Sequence, residues 1–154
     1  MEFEIKKSNY DDAIDANDLL TKLIVDEKKY DKNINENCVV KSLYEKFYNQ
    51  KDVCLYVAKY NNTTIGYVYG YIQNNGDCKN NIVCTLDALY VLKEYRNNGV
   101  ATELINSFIK WSKGKNAYYI DLKVCNLNEN AIKIYKKFGF YETKVIMTKN
   151  MEEL

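Results

Sequence analysis

The sequence of 154 residues contains no histidine and no proline. The missing histidine excludes catalysis by Ser-His-Asp or Cys-His groups, and it removes a principal ligand of zinc sites. We therefore expect no metal centre. Any acid–base chemistry must rest on carboxylates, tyrosines or ordered water.

Neither positive nor negative charge is in clear excess. Lysine and arginine number 22 against 21 aspartates and glutamates, a net charge of +1. Because domains that bind nucleic acid usually carry a basic excess, we expect no nucleic-acid partner. The balance is uneven, however, since residues 1–36 carry −4 and the remainder +5. Two interpretations stay open: a solvated helix face, and an acidic rim of a binding site that attracts a cationic substrate.

Long apolar runs are also missing. No stretch approaches the roughly 20 apolar residues that a membrane-spanning helix needs, so no membrane partner is expected. The first residues, MEFEIKKSNYDD, are acidic from the second position and do not resemble a signal peptide. These features predict a cytoplasmic protein.

The five cysteines include no Cys-x-x-Cys pair, and we expect free thiols rather than disulfides. Cys54, Cys84 and Cys125 lie in apolar runs, where a reduced cysteine behaves as a small hydrophobe. Cys84 or Cys125 as a covalent nucleophile is a weaker alternative, because no histidine is present to activate either thiol.

What the sequence does contain is a series of short segments with strand or helix periodicity. Asn61 and Asn62 separate two β-rich runs and tolerate the positive φ of a tight hairpin turn. The predicted strands cover residues 3–8, 53–60, 63–72, 82–91, 118–125 and 141–151. The predicted helices cover residues 11–29, 36–49, 100–113 and 129–138, with Gly139 ending the last. This order predicts an α/β (α+β) domain around one sheet.

The stretch EYRNNGVATELI, residues 94–105, joins a predicted strand to a predicted helix. The first four N–H groups of a helix have no internal partner, and together with the helix dipole they favour a phosphate. Gly99 permits close approach of a ligand, Ala101 keeps the next position small, and Arg96 adds a guanidinium. A simple strand-to-helix turn with Asn98 as N-cap is the alternative.

Two motifs in this chain resemble those of the GNAT superfamily of acyl-CoA-dependent N-acyltransferases. The first is the family loop Arg/Gln-x-x-Gly-x-Gly/Ala, which here reads Arg96-Asn97-Asn98-Gly99-Val100-Ala101. The second is Asn-x-x-Ala-x-x-x-Tyr-x-x-x-Gly-Phe, which is matched in register by Asn128, Ala131, Tyr135, Gly139 and Phe140. The order of elements agrees over residues 3–151. The chain departs from the family at Lys93, where a proline is frequent, and at Ala101, which replaces a glycine.

The resemblance implies a single GNAT domain over residues 1–154 that binds acetyl-CoA as cosubstrate. Its sheet would be mixed and mostly antiparallel, with splayed fourth and fifth strands and about four flanking helices. The coenzyme's pantetheine arm would lie in the gap, paired with the backbone of Leu89, Tyr90 and Val91. The backbone of Asn97, Asn98, Gly99, Val100, Ala101 and Thr102, with Arg96, would hold the pyrophosphate. Asn128 would contact the pantetheine or order the end of the fifth strand.

The resemblance also implies catalytic roles for two residues. Tyr135 occupies the position of a family tyrosine that acts as general acid near the sulfur. From periodicity alone, Tyr135 is a core residue of its helix. Asp87 interrupts TLDALYV just before the pantetheine segment and is the candidate general base. Glu142 and the acids of the first helices are the alternatives.

The implied function is acetyl transfer to a primary amine by direct attack, without a covalent enzyme intermediate. The parts that shape the acceptor site in the family are acidic and tyrosine-rich here, which favours a small cationic amine. A peptide or protein acceptor and a non-catalytic acyl-CoA sensor remain as alternatives. A further alternative is an unrelated phosphate-binding α/β protein. The oligomeric state stays open, with a homodimer as one outcome.

Overall fold

A five-stranded sheet in the order β1-β2-β3-β4-β5 forms the centre of the computed structural model, which describes residues 1–153. The first four strands pair antiparallel, and β4 and β5 pair parallel. The strands are β1 (Glu4–Lys7), β2 (Val53–Tyr60), β3 (Thr63–Ile72), β4 (Val83–Val91) and β5 (Tyr119–Asp121). The prediction of a mixed, mostly antiparallel sheet is confirmed.

Three α-helices flank this sheet in the described residues, one fewer than the expected number of about four. They are α1 (Tyr10–Glu27), α2 (Val100–Gly114) and α3 (Glu129–Lys137). A capping box starts α1, in which the Asn9 side chain accepts from the Asp12 N–H and the Asp12 side chain accepts from the Asn9 N–H. No helix within residues 1–153 is both long and apolar enough to cross a membrane.

The two faces of the sheet carry separate apolar clusters. On one face α2 contributes four fully buried side chains, which pack on strand residues such as Val68 and Cys84. On the other face α1 packs through small side chains, Ala13 and Ala16, against Leu55 and other residues of the sheet. The α2 residues are Val100, Leu104, Ile105 and Phe108. Both faces are thus covered, and the open parts of the sheet are its edges.

The β2–β3 hairpin turns at Asn61 and Asn62, as the sequence predicts. Both residues adopt positive φ, 47° and 64°. Two consecutive positive φ values match the twist of the flanking strands, and asparagine adopts them at less cost than most residues.

The helix predicted at residues 36–49 is wrong, because the structure has only a 3₁₀ turn there, Tyr44–Lys46. Side chains of α1 take the backbone N–H groups that a helix would use. Asn17 Oδ1 accepts from the Tyr44 N–H at 3.1 Å, and Thr21 Oγ1 accepts from the Val40 N–H at 2.9 Å. Tertiary hydrogen bonds have therefore replaced the helical ladder in this segment.

The two last predicted strands also differ from the structure. The fifth is three residues long rather than eight, since it leaves β4 after Asp121. The strand predicted at 141–151 is not formed, and that segment lies exposed without a β partner in the described residues. A strand needs a neighbouring strand to satisfy its backbone, and sequence propensity does not supply one.

Gly70 provides a test of the packing between β3, β4 and α2. A methyl group at this position would collide with the Thr85 carbonyl oxygen and the Phe108 ring. We expect Gly70→Ala to lower the free energy of unfolding by about 3 kcal/mol in urea titrations.

Gly114→Ala is the matched control. A methyl group at Gly114, the last residue of α2, meets nothing within 4 Å. This variant should be neutral or more stable by about 0.5 kcal/mol. Equal stability of the two variants would contradict the close approach at Gly70.

Candidate active site

The strands β4 and β5 stay together for only three residues. Their ladder pairs Val83 to Thr85 with Tyr119 to Asp121 and then ends. Within residues 1–153, the remaining part of β4, residues 86–91, pairs with β3 alone. One side of this backbone is therefore free to accept another extended chain.

A polar cluster holds the strands together at the point where they part. Thr85 Oγ1 donates to Asp121 Oδ1 at 2.9 Å, and Gln73 Nε2 donates to Asp121 Oδ2 at 2.7 Å. The same Gln73 amide also lies 2.8 Å from Thr85 Oγ1. These bonds join β4, β5 and the end of β3, and they fix where the gap begins.

Asp87 forms a β-bulge in β4. The β3 partners skip this residue, because Tyr69 pairs with Ala88 and Gly70 pairs with Leu86. An extra residue reverses which face the following side chains occupy. Leu86 accordingly packs in the α2-side cluster and Ala88 in the α1-side cluster. The bulge was not predicted, since nothing in the local sequence marks it.

The carboxylate of Asp87 lies near three tyrosines. The residue as a whole is exposed, but atoms crowded around its carboxylate desolvate it, which raises the pKa above its usual 3.8. The Lys123 ammonium opposes this shift. Burial raises the pKa of Tyr69 to about 12, and the Asp87 charge adds to that shift. The carboxylate also contributes to the raised pKa of Tyr44 and Tyr67.

These tyrosines form part of an aromatic wall on the α1 side of the sheet, which we define as Tyr44, Phe47, Tyr67 and Tyr69. The ring centroids of Tyr44 and Tyr69 are 4.9 Å apart, and those of Phe47 and Tyr69 are 5.6 Å apart. The hydroxyls of Tyr44 and Tyr67 are hydrogen bonded at 3.2 Å. The wall gives the Asp87 carboxylate an apolar, electron-rich surrounding.

The loop before α2 presents backbone N–H groups without a side-chain cap. The N-cap is Gly99 in the left-handed conformation, with φ of 82°, and no side chain caps the helix. Asn97 also has positive φ, 62°, so Asn98 lies between two residues in the left-handed conformation. Such alternation turns successive N–H groups toward one concave surface suited to anions. A methyl group built at Gly99 meets nothing within 4 Å, so the surface above the loop is open.

The predicted alternative of Asn98 as N-cap is wrong. Its side-chain amide points back along the chain and donates to the carbonyl oxygens of Tyr95, at 3.2 Å, and Arg96, at 3.0 Å. These bonds leave the cap position to Gly99 and stabilise the turn that precedes α2.

Arg96 is held on the α1 side of this loop. Its Nε donates to the Val91 carbonyl oxygen at 2.8 Å, and its guanidinium carbon lies 5.2 Å from the centroid of the Tyr90 ring. Asp26 of α1 accepts from the Tyr90 hydroxyl at 3.0 Å and lies 3.6 Å from the guanidinium. Lys93 pairs with the same carboxylate at 3.3 Å. Asp26 thus ties α1 to the end of β4, and a phosphate would compete with it for Arg96.

Tyr135 of α3 packs against the α2-side cluster, with its ring edge-on to Phe140 at 5.7 Å. Burial raises the pKa of Tyr135 to about 12, and the negative charge of Glu27 adds to the shift. Glu27 belongs to α1, which covers the opposite face of the sheet. The Tyr135 hydroxyl therefore lies within electrostatic reach of both faces, and it stays protonated at neutral pH.

Asn128 and Glu142 have local partners. Asn128 is the N-cap of α3, and its Oδ1 accepts from the Ala131 N–H at 3.2 Å. Asn128 thus starts α3, and its predicted role toward the pantetheine or the end of β5 stays a prediction. Glu142 is exposed and pairs with Lys136 at 3.5 Å. This position favours Asp87 over Glu142 as the candidate base.

Glu27 is a second carboxylate near the aromatic residues, and the sequence singles it out only as one of several acids in α1. Desolvation of its carboxylate and the charge of Asp31 raise its pKa. Its charge reaches Tyr67 as well as Tyr135. Glu27 and Asp87 thus both lie within electrostatic reach of Tyr67.

The sheet is mixed, its parallel strands β4 and β5 part, and the helix after the fourth strand has no side-chain cap. Together these features define a GNAT-like α/β fold. The profile of the acetyltransferase (GNAT) family matches residues 21–140, and this chain belongs to that family. The family match confirms the predicted resemblance to the GNAT superfamily and the predicted class of enzyme, an acyltransferase.

Two curated relatives match part of the chain. An uncharacterised N-acetyltransferase of Methanocaldococcus jannaschii is 28% identical over 91 residues, which cover 59% of this chain and 40% of the relative. The catalytic subunit NAA20 of the Arabidopsis thaliana N-terminal acetyltransferase B complex is 35% identical over 80 residues, 51% of this chain and 44% of the relative. The match thus spans less than half the length of each relative.

Solved structures share the fold over almost the whole chain. A mutant Bacillus halodurans protein superposes with a TM-score of 0.83 at 15% identity, covering 96% of this chain and 99% of the other. The aminoglycoside N-acetyltransferase AAC(6')-Iy, solved in complex with CoA, superposes with a TM-score of 0.72 at 18% identity, covering 97% and 94%. The predicted fold class is confirmed.

The desolvated carboxylate of Asp87 leads to a stability prediction. Its pKa is higher in the folded than in the unfolded chain, so the ionised form destabilises the fold once the pH has risen through both values. We expect Asp87→Asn to raise the melting temperature at pH 7 by at most about 2 °C, because the exposed residue is partly screened. The gain should vanish near pH 3, where the native carboxyl is protonated.

Asp77→Asn makes the same change of net charge in an exposed loop and serves as the control. Differential scanning calorimetry at the two pH values gives the comparison. A lower melting temperature for Asp87→Asn at pH 7 would show that the carboxylate stabilises the fold and would contradict the desolvated site.

Proposed function

We propose that the protein transfers an acetyl group from acetyl-CoA to a primary amine. The observation that carries the proposal is the parting of β4 from β5 directly beside the uncapped N-terminus of α2. This arrangement offers a free strand edge for an amide-bearing chain and a set of free N–H groups for a phosphate. Membership of the GNAT family supports the same assignment.

The residues present fit the coenzyme. Residues 86–91 of β4 have one free side on which the backbone of Leu89, Tyr90 and Val91 would pair with the pantetheine amides. The open loop from Asn97 to Thr102 would hold the pyrophosphate. Acetyl-CoA supplies an activated acyl thioester when bound.

Asp87 would act as general base, directly or through a water molecule. An alkyl ammonium with a pKa near 10.4 is about 3.4 units above neutrality, so its neutral form costs about 4.6 kcal/mol at pH 7. A desolvated carboxylate with a raised pKa accepts a proton more readily than a solvated one. Glu27, whose pKa is also raised by desolvation and whose charge also reaches Tyr67, is the second candidate for this role.

Tyr135 would donate its hydroxyl proton toward the leaving sulfur. A phenol with a pKa of about 12 is a weaker acid than a thiol with a pKa of about 8.5. Complete transfer is therefore uphill in the free protein, and the hydroxyl acts first as a hydrogen-bond donor that stabilises the developing thiolate. A developing negative charge on sulfur beside the hydroxyl would favour the protonated phenol further.

For the acceptor we propose a small cationic amine. Phe47 and Tyr69 are the partly exposed members of the aromatic wall, and they would hold an ammonium group by cation–π attraction close to the Asp87 carboxylate. The acidic α1 adds a long-range attraction for cations. Structural neighbours named as aminoglycoside acetyltransferases act on amines of this kind, although at 15–18% identity they support the fold alone.

A peptide N-terminus is the second candidate acceptor. The observation that favours it is the 35% identity over 80 residues to a catalytic subunit of an N-terminal acetyltransferase complex. Turnover of short peptides compared with turnover of di- and polyamines, measured as free CoA thiol released, decides between the two acceptors.

Two substitutions test the proposed catalytic roles. Asp87→Asn should lower kcat about 10²–10³-fold, and Tyr135→Phe should lower it about 10–10²-fold, because each removes one proton-transfer group. Calorimetric affinity for CoA should stay within about twofold of wild type, since neither change touches the proposed backbone contacts.

Tyr118→Phe, which removes a hydroxyl from an exposed ring, is the control for Tyr135→Phe. Glu27→Gln distinguishes the two carboxylates, because a loss larger than that of Asp87→Asn would move the base to Glu27. CoA binding without turnover of any amine would instead favour the acyl-CoA sensor.

A further inference from the structure

An open groove of about 460 Å³ lies where the second half of α2 passes over β1 and β2. Its lining is apolar or aromatic at Ile5, Tyr56 and Trp111, and cationic at Lys110 and Lys115. The volume falls within the range of ordinary small-molecule sites, about 300–1,000 Å³. The groove shares no lining residue with the candidate active site.

The end of α2 leaves this space open because its last residue has no side chain. Gly114 ends α2 and lines the groove, and a methyl group built on it meets nothing within 4 Å. On the other side the groove borders β1, which is the first strand of the sheet. No strand among residues 1–153 lies beyond β1 to close the groove from that side.

Trp111 gives the groove a fixed aromatic surface. Its ring packs beside the fully buried Phe108, with the ring centroids 5.7 Å apart and the ring planes tilted by 33°. Trp111 itself is only partly buried, so part of its surface remains available to a ligand. A ring held by a packed neighbour loses little freedom when an apolar group stacks on it, which lowers the cost of binding.

Two lysines give the groove a positive charge that the described chain does not neutralise. The Lys115 ammonium lies 5.8 Å from the centroid of the Trp111 ring, and its backbone N–H donates to the carbonyl oxygens of Trp111 and Ser112, each at 3.1 Å. Within residues 1–153 neither Lys110 nor Lys115 forms an ion pair, and no acidic residue lines the groove. Burial raises the pKa of the Cys84 thiol, and the charge of Lys115 opposes that shift.

We propose that this groove binds a small carboxylate with an aromatic or aliphatic body. The apolar body would lie against Trp111 and Tyr56, and the carboxylate would meet the ammonium groups of Lys110 and Lys115. An inorganic anion would leave the aromatic surface exposed to water, and a neutral apolar molecule would forgo the charge pairing. The two kinds of lining together therefore favour an amphipathic anion. This proposal does not depend on the acetyl-transfer reaction.

The first test uses the fluorescence of Trp111, the one tryptophan of the chain. Titration with 4-phenylbutyrate should change the emission saturably, with a Kd on the order of 0.1–1 mM for a ligand of this size. The neutral amide of the same acid should bind at least about threefold more weakly, because it cannot pair with the lysines. Saturating CoA should leave both affinities unchanged. No saturable change with 4-phenylbutyrate, or equal affinity for the amide, would overturn the proposal.

Two sets of variants locate the ligand. Gly114→Leu fills the groove without opposing the helix, since leucine has the higher helix propensity. It should abolish the fluorescence response and leave the far-ultraviolet circular dichroism spectrum unchanged. The double substitution Lys110→Gln and Lys115→Gln should weaken binding of 4-phenylbutyrate about 3–10-fold and leave binding of the amide unchanged.

The matched control removes the same charge outside the groove. Lys113→Gln combined with Lys144→Gln changes two exposed lysines that do not line it, and this variant should bind 4-phenylbutyrate as the wild type does. An equal loss of affinity in the control would show that only overall charge matters and would contradict the site. Binding that persists in a folded Gly114→Leu variant would place the ligand elsewhere and would also overturn the proposal.

Discussion

The parting of β4 from β5 is the constraint on which the candidate site depends. The polar cluster of Thr85, Asp121 and Gln73 closes the two strands at one end, and beyond it β4 has no second partner strand among residues 1–153. A parallel pair that continued to Val91 would satisfy this edge and leave no room for a ligand. The chain leaves β4 at Asp121, and α3 then packs Tyr135 against the cluster on the α2 side of the sheet.

The bulge at Asp87 links this edge to the chemistry of the site. It reverses the alternation of β4, so that Leu86 packs toward α2 while Ala88 and Tyr90 pack toward α1. At the bulge, the Asp87 carboxylate is close enough to Tyr44, Tyr67 and Tyr69 to raise the pKa of each. An ionised group in this position is unfavourable for stability and favourable for proton transfer. In the proposed reaction, the same desolvation that makes ionised Asp87 unfavourable makes it a better proton acceptor.

Asp26 gives the site its connection to α1. It binds the Tyr90 hydroxyl and lies beside Arg96 and Lys93, so one carboxylate joins the helix to the end of β4 and to the loop before α2. Glu27 follows it directly and faces the tyrosines. Adjacent acids on α1 thus act differently: Asp26 joins α1 to the loop before α2, and Glu27 contributes to the electrostatic field around Tyr135 and Tyr67.

Sequence reasoning located the elements whose signals are local. Positive φ at Asn61 and Asn62, glycine in the loop before α2 and the cap at Gly139 all follow from conformational preferences of single residues. It failed where tertiary contacts decide. The segment 36–49 is held by side chains of α1, and residues 141–151 have strand propensity but no β partner among residues 1–153. The bulge at Asp87 is equally invisible, because it depends on the register of β3 against β4.

The family motifs identified the candidate site residues, but their surroundings needed the structure. The sequence marks Arg96 as a cation near a phosphate loop, whereas the structure adds that Asp26 and the Val91 carbonyl already hold it. Likewise Tyr135 is marked by its helical stripe, but its raised pKa comes first from burial and then from the charge of Glu27, which lies 108 positions away in the sequence.

Amide hydrogen exchange with and without CoA tests the central claim most directly. If the gap beside β4 and the loop before α2 form one coenzyme site, the amides of residues 86–91 and 97–102 should both become protected when CoA is added. The exposed loop 73–81 should exchange as before. Protection of the loop before α2 alone would indicate a simple phosphate site, and no protection of either segment would contradict the account.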